Sequence, residues 1–587
     1  MTKYDFILMS GDADAFLEKL QSVGVMDITR SKKPIDEQSE KLSVRADIYR
    51  KSLAQLKDVV KADDPGQKPI DFAVAVLETV QEKEALQAQL PQLYKDVEDR
   101  RPWGRFDVKS FDRLKENGLK LHFYKAKAID PAWKEQYALS EVATENGYTY
   151  FVVVSEGDDY DFPLKELPAP DGDFAALEQQ IAQIEAEVKE KDQRLAQLKW
   201  HEPVLQAEMD KAVSKLDLHL ARVAGEKVAE DYITVFEGFA PSVSEPALHD
   251  MLEKEQVLYL TEKAKVDDNP PIKLKNNKFV SMFEVLTDMY GRPKYDEFDP
   301  TVFISIFFML FFAFCMGDAG YGLVLILLGF GLKKMMPKLS PLVVTLGIAT
   351  TVIGFLFHTF FSMDIAEWSI FAPIKGIFLP STIAGYDGTM VLALLIGIVH
   401  LCLAMIVKTY QSTKVKGFAN SLGTWGWTLL IVGGIIVGGL ALMKVIDATV
   451  TKWVVIVLGG LSALGIFFLN DLHRNPLLNV GSGLWDTYNT ATGLLGDVLS
   501  YLRLYALGLA GAKLGEAFNA IGLQALGDGG VGWIWFILIV IVGHTLNVAM
   551  CVLGAFVHPL RLNFLEFFKN SGYEGTGRKY HPLSEKA

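Results

Sequence analysis

The chain opens on short strand-like and helical runs. Residues 4–9 (Tyr-Asp-Phe-Ile-Leu-Met) read as a strand, Asp12 to Val23 has apolar residues at helical spacing, and Val25 to Ile28 reads as a second strand. A long polar helix is predicted next, with apolar positions at Leu42, Ile48, Tyr49, Leu53, Leu56 and Val60, until Asp63-Asp64-Pro65-Gly66 interrupts it. A further helix is predicted from about Pro69 to Val97. Between about 103 and 170 the pattern turns strand-like at Leu121–Ala126 and Tyr148–Val154. From Asp173 to Ala224 the apolar residues Leu177, Ile181, Ile184, Val188, Leu195, Leu198, Leu205, Met209 and Leu216 follow steps of four and three. Lys191, Glu202 and Ala212 fill the intervening slots. That is a heptad seam of roughly seven repeats, the signature of a coiled coil, with Pro203 expected to kink it. The fold class expected is therefore mixed. A proximal α/β lobe and a distal one (about 103–170) are joined by a two-helix coiled-coil stalk (about 35–100 and 173–230). An all-α polytopic membrane domain follows.

The second half carries long apolar runs, at about 301–332, 341–362, 388–409, 421–443, 453–470, 489–524 and 533–567. Seven are visible by eye. Lys333, Lys334 and Lys338 form one basic loop, and Lys408, Lys414 and Lys416 form another; short basic loops prefer the cytoplasm. With a cytoplasmic N-terminal half, an even number of crossings must precede Lys333. The first run is therefore split at Gly317-Asp318-Ala319-Gly320 into a tight hairpin, which gives about eight crossings. Each half is then about fifteen residues, against the roughly twenty that a full span wants. The loops 363–387 and 445–452 fall outside. The loop around His473 and Arg474 falls inside, as does the tail with Arg578, Lys579 and Lys586. The last two runs exceed a bilayer's needs, so both are expected to tilt strongly or to extend past it. The expected domains are 1–299 (cytoplasmic), 300–570 (transmembrane) and 571–587 (cytoplasmic tail).

Charge sharpens this division. Of 587 residues, 71 are acidic and 58 basic, net −13. Between Thr301 and Phe568 there are only 11 acidic and 13 basic side chains in 268 positions. A simple soluble enzyme is excluded. The acidic balance argues against general nucleic-acid binding, which needs Lys and Arg against phosphate. Cys315, Cys402 and Cys551 lie far apart in apolar runs and read as packing residues, without metal-ligand spacing. The N-terminal residues are polar and lack an apolar signal region. No phosphate-binding loop, zinc cluster or Rossmann fingerprint is present. Trp200-His201-Glu202-Pro203 lacks the second His of a zinc motif.

Two arginines stand inside the last apolar runs, Arg503 in Tyr501-Leu502-Arg503-Leu504 and Arg561 in His558-Pro559-Leu560-Arg561. An arginine in lipid costs a few kcal/mol or more and does not deprotonate, so such residues usually line a polar path. Arg561 lies near the end of its run, where snorkelling explains it as well. His544, Asn547, Cys551, Gly554, His558 and Arg561 follow steps of three and four, one helix face. Packing by small residues explains Gly554 but not the polar members. Lys513 and Glu516 on one side of Arg503, and Asp497 on the other, are candidates for two polar vestibules. Lys513 and Glu516 can equally pair with each other.

These residues carry a resemblance. Leu499-Ser500-Tyr501-Leu502-Arg503-Leu504 with Ala506-Leu507-Gly508-Leu509-Ala510 resembles the essential-arginine helix of subunit I, also called subunit a, of the rotary V-type and A-type ATPases and ATP synthases. The bacterial form is the most similar. Ala555-Phe556-Val557-His558-Pro559-Leu560-Arg561-Leu562, with Glu566-Phe567-Phe568 and Tyr573-Glu574-Gly575, resembles its C-terminal signature. Tyr290-Gly291-Arg292-Pro293-Lys294-Tyr295 with Asp299-Pro300-Thr301 resembles the junction entering the membrane. Gly317-Asp318-Ala319-Gly320-Tyr321-Gly322 resembles the first-hairpin motif, and Phe236-Glu237-Gly238-Phe239-Ala240-Pro241 a motif late in the soluble half. Where eukaryotic members carry a His and a Glu, this chain has Gly511 and Cys551, so those two roles are not carried over.

The resemblance implies a non-catalytic stator in a bacterial inner membrane. It faces a ring of small proteolipid subunits whose carboxylates pass Arg503 and Arg561. Glu516, Lys513, His544, Asn547, His558, Asp497 and Glu566 are candidates for two half-channels carrying H⁺ or Na⁺, and Gly317, Asp318, Gly320 and Gly322 for a structural motif. It implies peripheral-stalk, central-stalk and nucleotide-binding partners, and neither cofactor nor metal. Two rivals stand beside it: a secondary transporter with an intramembrane arginine, which predicts inverted repeats that are not visible, and a membrane-anchored coiled-coil scaffold.

Overall fold

The computed structural model describes residues 1–585 except 32, 65–69, 105–112, 146, 157–160, 170–173, 368–369, 371–375, 377, 381, 384, 470–475 and 527–531. Pro65 and Gly66 of the predicted interruption, the His473–Arg474 loop and Lys586 lie outside the described residues. The chain divides into two compact units. One comprises 4–238, 244–260 and 582–587, and the other 1–3, 239–243 and 261–581.

The first unit is built on a sheet of order β2-β7-β1-β8, with β6 added to β7. Its strands are β1 (Thr2–Met9), β2 (Asp27–Ile28), β6 (Glu226–Val228), β7 (Ile233–Ala240) and β8 (Leu258–Lys263). Tyr4, Phe6 and Leu8 on β1 are buried with Phe16, Leu17 and Leu20 of α1 (Ala13–Val23), the alternation and helical spacing expected of a half-buried strand and its covering helix. A second sheet, β3-β5-β4, is antiparallel throughout; β3 is Leu119–Ala126, β4 Ala138–Glu145 and β5 Tyr148–Glu156.

Between the sheets run α2 (Glu37–Leu56), α3 (Phe72–Arg100), α4 (Phe174–Leu198) and α5 (Glu202–Val223). Lys191 meets Glu82 at 2.7 Å and Tyr94 bonds Glu185, so α4 descends as α3 ascends. His219 reaches Asp36 at 2.8 Å, while Lys199 donates to the Leu56 carbonyl at 2.7 Å, so α2 and α5 are also antiparallel. Ile181, Ile184, Leu195, Leu198, Leu205 and Ala212 are buried along the predicted seam. A one-turn 3₁₀ segment, Lys199–His201, separates α4 from α5. Pro203 therefore sits in the first turn of a new helix, where its missing N–H costs nothing.

The second unit is helical, with small two-stranded pairs in its connections. Among the described residues, five of its helical stretches are long and apolar enough to cross a membrane, and three shorter apolar helices precede them. The short ones are α6 (Thr301–Met316), α7 (Ala319–Gly331) and α8 (Ser340–Leu356). Gly317, at φ 53°, makes the turn between the first two. The five longer stretches are α9 (Gly388–Lys416), α10 (Leu422–Thr428, continuing through a π-turn to Leu442), α11 (Ala448–Phe467), the consecutive pair α12 (Pro476–Ser500) and α13 (Leu502–Leu526), which together make one stretch, and α14 (Gly532–Arg561, continuing through a π-turn to Ser571).

Two boundaries depart from the sequence pattern. The predicted run 341–362 stops at Leu356, and 357–364 forms a tight loop instead. The predicted segment 489–524 begins thirteen residues earlier, at Pro476, and breaks at Tyr501. Residues 571–581 fold back on the same unit, with Tyr573 donating to the Gly291 carbonyl at 2.7 Å and Lys579 pairing with Asp288 at 2.9 Å.

Candidate functional site

The helix break at Tyr501 sets the position of Arg503. The Tyr501 ring is fully buried and packs on Gly397 of α9, where a side chain would collide with it. Its hydroxyl meets His400 Nδ1 at 2.9 Å. The His400 imidazole is itself buried, stacked on Phe567 with centroids 4.6 Å apart and tilted against Phe307 at 4.1 Å. Arg503, two residues on, is half-buried, and its buried Nη1 has no hydrogen-bond partner among the described residues. Both Arg503 and Arg561 act electrostatically on His558 and Glu566, so these four residues form one neighbourhood. They differ in setting. Glu566 is buried with Oε2 unpaired among the described residues, His558 is half-buried and Arg561 is exposed on the α14 surface.

Two cavities flank this neighbourhood. The larger, about 810 Å³, lies against α13 along Tyr505, Gly508, Ala512, Glu516 and Asn519, with Ser362 on its far wall. The smaller, about 420 Å³, is lined by Asp486, Asn489, Asp497, Thr409, Lys569 and Asn570. Along the α12–α13 axis Arg503 lies between them. It is six residues from Asp497 and thirteen from Glu516, so about 9 Å and about 20 Å at helical rise.

Asp497 accepts from Asn570 at 2.8 Å and pairs with Lys569 at 3.4 Å. Lys513 and Glu516 pair with each other at 2.7 Å and both are exposed, the pairing that their spacing allowed.

The α14 stripe lies on one face as spaced, but its members serve differently. His544 and Asn547 are buried against α7 and α13, and Gly554 packs near Leu507. Gly511 and Cys551, the two positions that depart from the eukaryotic pattern, meet: a Cβ on Gly511 would stand 2.6 Å from Cys551 Sγ.

The hairpin motif builds the cavity wall. Asp318 caps α7 by accepting from Tyr321 N at 3.1 Å, and also grips Phe361 N at 2.9 Å and Ser362 N at 2.6 Å. His358, Phe361 and Ser362 all have positive φ, between 48° and 57°. Such residues cost of order 1–3 kcal/mol each and persist only when their surroundings over-determine them. Gly320 makes room for the Phe361 ring, and Gly322 for Thr351.

His400, Tyr501, Tyr321 and Asn519 were not assigned roles from sequence. Each presents one or two polar atoms inside an apolar run, and only tertiary pairing distinguishes it. Among the described residues, no group of three His, Cys, Asp or Glu could hold a metal ion.

With this geometry in hand, the relatives are informative. The model of the V-type ATPase 116 kDa subunit family matches residues 177–342 and 491–585. The A-type ATP synthase subunit I of Methanocaldococcus jannaschii is 29% identical over 478 aligned positions, covering 73% of this chain and 67% of that protein. The A-type ATP synthase subunit I of Pyrococcus horikoshii is 30% identical over 383, covering 62% and 52%. The V-type ATP synthase subunit I 1 of Treponema pallidum is 25% identical over 642, covering 100% and 99%. The chain thus spans about two thirds of the first archaeal relative and about half of the second.

Proposed function

We propose that the chain, which over residues 177–342 and 491–585 matches the V-type ATPase 116 kDa subunit family, is the membrane stator of a rotary A/V-type ATPase in a bacterial inner membrane. It is a membrane subunit and not the catalytic one. The observation that carries the ion-translocating role is the buried Nη1 of Arg503, without a hydrogen-bond partner among the described residues and set between two cavities that each carry charged side chains.

A guanidinium keeps its charge at any working pH. A carboxylate on a neighbouring ring subunit that comes to face Arg503 is stabilised in its charged form, so its proton or sodium ion is released. One positive charge at about 4 Å is worth roughly 4 kcal/mol at an effective dielectric of 20, about three pKa units. The ion leaves through one cavity. The next carboxylate loads from the other before re-entering lipid, where a bare charge is expensive. The α13-side cavity is the outer half-channel, with Glu516, Lys513, His544 and Asn547. The cavity with Asp497 is the cytoplasmic one, with Glu566 and His558 between it and Arg503. The fixed charge of Arg503 repels a cation leaking from one to the other, and Arg561 shares this work from α14. The soluble unit is cytoplasmic. Its paired helices form the coiled-coil stalk that joins peripheral stalks and resists torque, and the three short and five long apolar stretches give eight crossings.

The test is ATP-driven ion uptake by reconstituted vesicles, normalised to assembled complex. Arg503→Gln is expected to abolish uptake with assembly intact. Lysine restores it poorly, because its ammonium is strongly hydrated and loses its proton when buried. Arg561→Ala is milder. Full uptake by Arg503→Gln sinks the mechanism.

A further inference from the structure

Behind the wall of the larger cavity lies a hydrogen-bonded cluster whose donors and acceptors fall in one order. Asn547 Nδ2 can only donate, and it donates to Tyr321 Oη at 2.8 Å and to the Gly511 carbonyl at 2.9 Å. The Tyr321 hydroxyl hydrogen is then directed at His544 Nδ1, 2.8 Å away. Nδ1 is thus the acceptor, and the imidazole hydrogen sits on Nε2, which donates to Asn519 Oδ1 at 2.9 Å. Asn519 Nδ2 donates in turn to the Phe361 carbonyl at 2.8 Å. Every link is satisfied with a neutral imidazole. A second arrangement is available. If Nδ1 gains a proton, Tyr321 Oη accepts from it, and the phenol hydrogen turns toward Ser362 Oγ, 3.5 Å away. Ser362 and Asn519 both line the cavity, and a separation of that length is closed by a small movement or by one bridging water.

Resting on the stator reading above, we propose that His544 is a proton-loading station of the outer half-channel, reached through the Tyr321 hydroxyl. In the loading step the Tyr321 O–H bond breaks as the His544 Nδ1–H bond forms. The phenol oxygen takes a replacement proton through the Ser362 hydroxyl from a hydronium ion in the cavity, which becomes water. The net change is one proton moved from the cavity to His544, with no electron transferred; unloading is the reverse. The groups facing the imidazole fit this role. Asp318, at the start of α7, is the charged group acting on it. Tyr321 comes from α7, Gly511 and Asn519 from α13, and Asn547 from α14 itself. The Asp318 oxygens are already taken by three backbone N–H groups. Each group along this route carries an exchangeable proton, so the station is assigned to protons.

The test uses the assembled complex in vesicles, with ATP-driven proton uptake measured over a range of pH on the outer face. His544→Gln keeps a hydrogen-bonding side chain but cannot titrate. It is expected to pump several-fold more slowly and to lose part of the wild-type pH dependence. Tyr321→Phe is expected to do the same with His544 intact. A wild-type rate and pH profile in His544→Gln overturns the proposal. Arg503→Gln, measured alongside, separates the two readings. Uptake surviving in that variant removes the stator mechanism; uptake lost there but normal in His544→Gln removes only the loading station.

Discussion

Gly511 and Cys551 show how finely α13 and α14 are fitted. The 2.6 Å between a Cβ on Gly511 and Cys551 Sγ leaves no room for even one methyl group. Gly511→Ala is therefore expected to destabilise the purified protein by about 1–3 kcal/mol, the usual cost of overpacking. Cys551→Ala in the same chain should restore most of it, because the colliding sulfur is gone. A thermal-denaturation double-mutant cycle checks this; strictly additive effects would mean that the two residues do not touch. At this scale the sequence was uneven in what it disclosed. Arg503 stood out because an ion in an apolar run has no ordinary explanation. Tyr501 and His400 did not, since their hydrogen bond joins positions 101 residues apart.

Elements were legible where one chain segment decides its own structure. The heptad positions Leu195, Leu198 and Leu205 are buried as their spacing requires. Replacing Leu195 and Leu198 with charged residues forfeits roughly 1.5–3 kcal/mol of burial each. It should weaken assembly with peripheral-stalk subunits while the membrane unit still inserts; unchanged assembly argues against a coupling role. The start of α2 offers a pH test. Asp36 is held down to about 2 by hydrogen bonds from the Ser39 side chain, then the Ser39 backbone N–H, then His219. A depressed carboxyl stabilises the fold fully above its ordinary range near pH 4 and loses that effect as pH falls toward about 2. Asp36→Ala should accordingly melt earlier than wild type at neutral pH, and the gap should close in acid. A gap that persists at about pH 2 contradicts the capping role.

Two elements were misjudged for a shared reason. The stretch 357–362 is too apolar to announce a turn; Asp318, from another helix, imposes it. The first half of α12 is too polar to announce a membrane helix, because Asn479, Ser482, Asp486 and Thr487 interrupt it. Asp486, with Asn489 and Asp497 further along α12, lines the smaller cavity.

At the scale of the whole molecule, composition alone separates a charged half of the sequence from an apolar one. The topology proposed here is testable at Lys334, in the short connection between α7 and α8. With the soluble unit in the cytoplasm, Lys334→Cys should resist an impermeant thiol reagent applied from outside. Labelling there removes the hairpin of two short crossings and leaves seven.

The grip of Asp318 on the cavity wall also bears on how the protein is made. Its partners Phe361 and Ser362 lie 43 and 44 residues further along the chain, so the ribosome delivers the carboxylate, with only the Tyr321 amide at hand, well before these two amides. A lone carboxylate cannot wait in hydrocarbon at acceptable cost. The first hairpin must therefore hold its turn at a water-facing edge, or carry a proton there, until α8 and its loop emerge. On the topology proposed above, insertion of α6, α7 and α8 is expected to be a single late-locking event rather than three independent ones, with the cavity wall at 357–364 the last part of that segment to take shape.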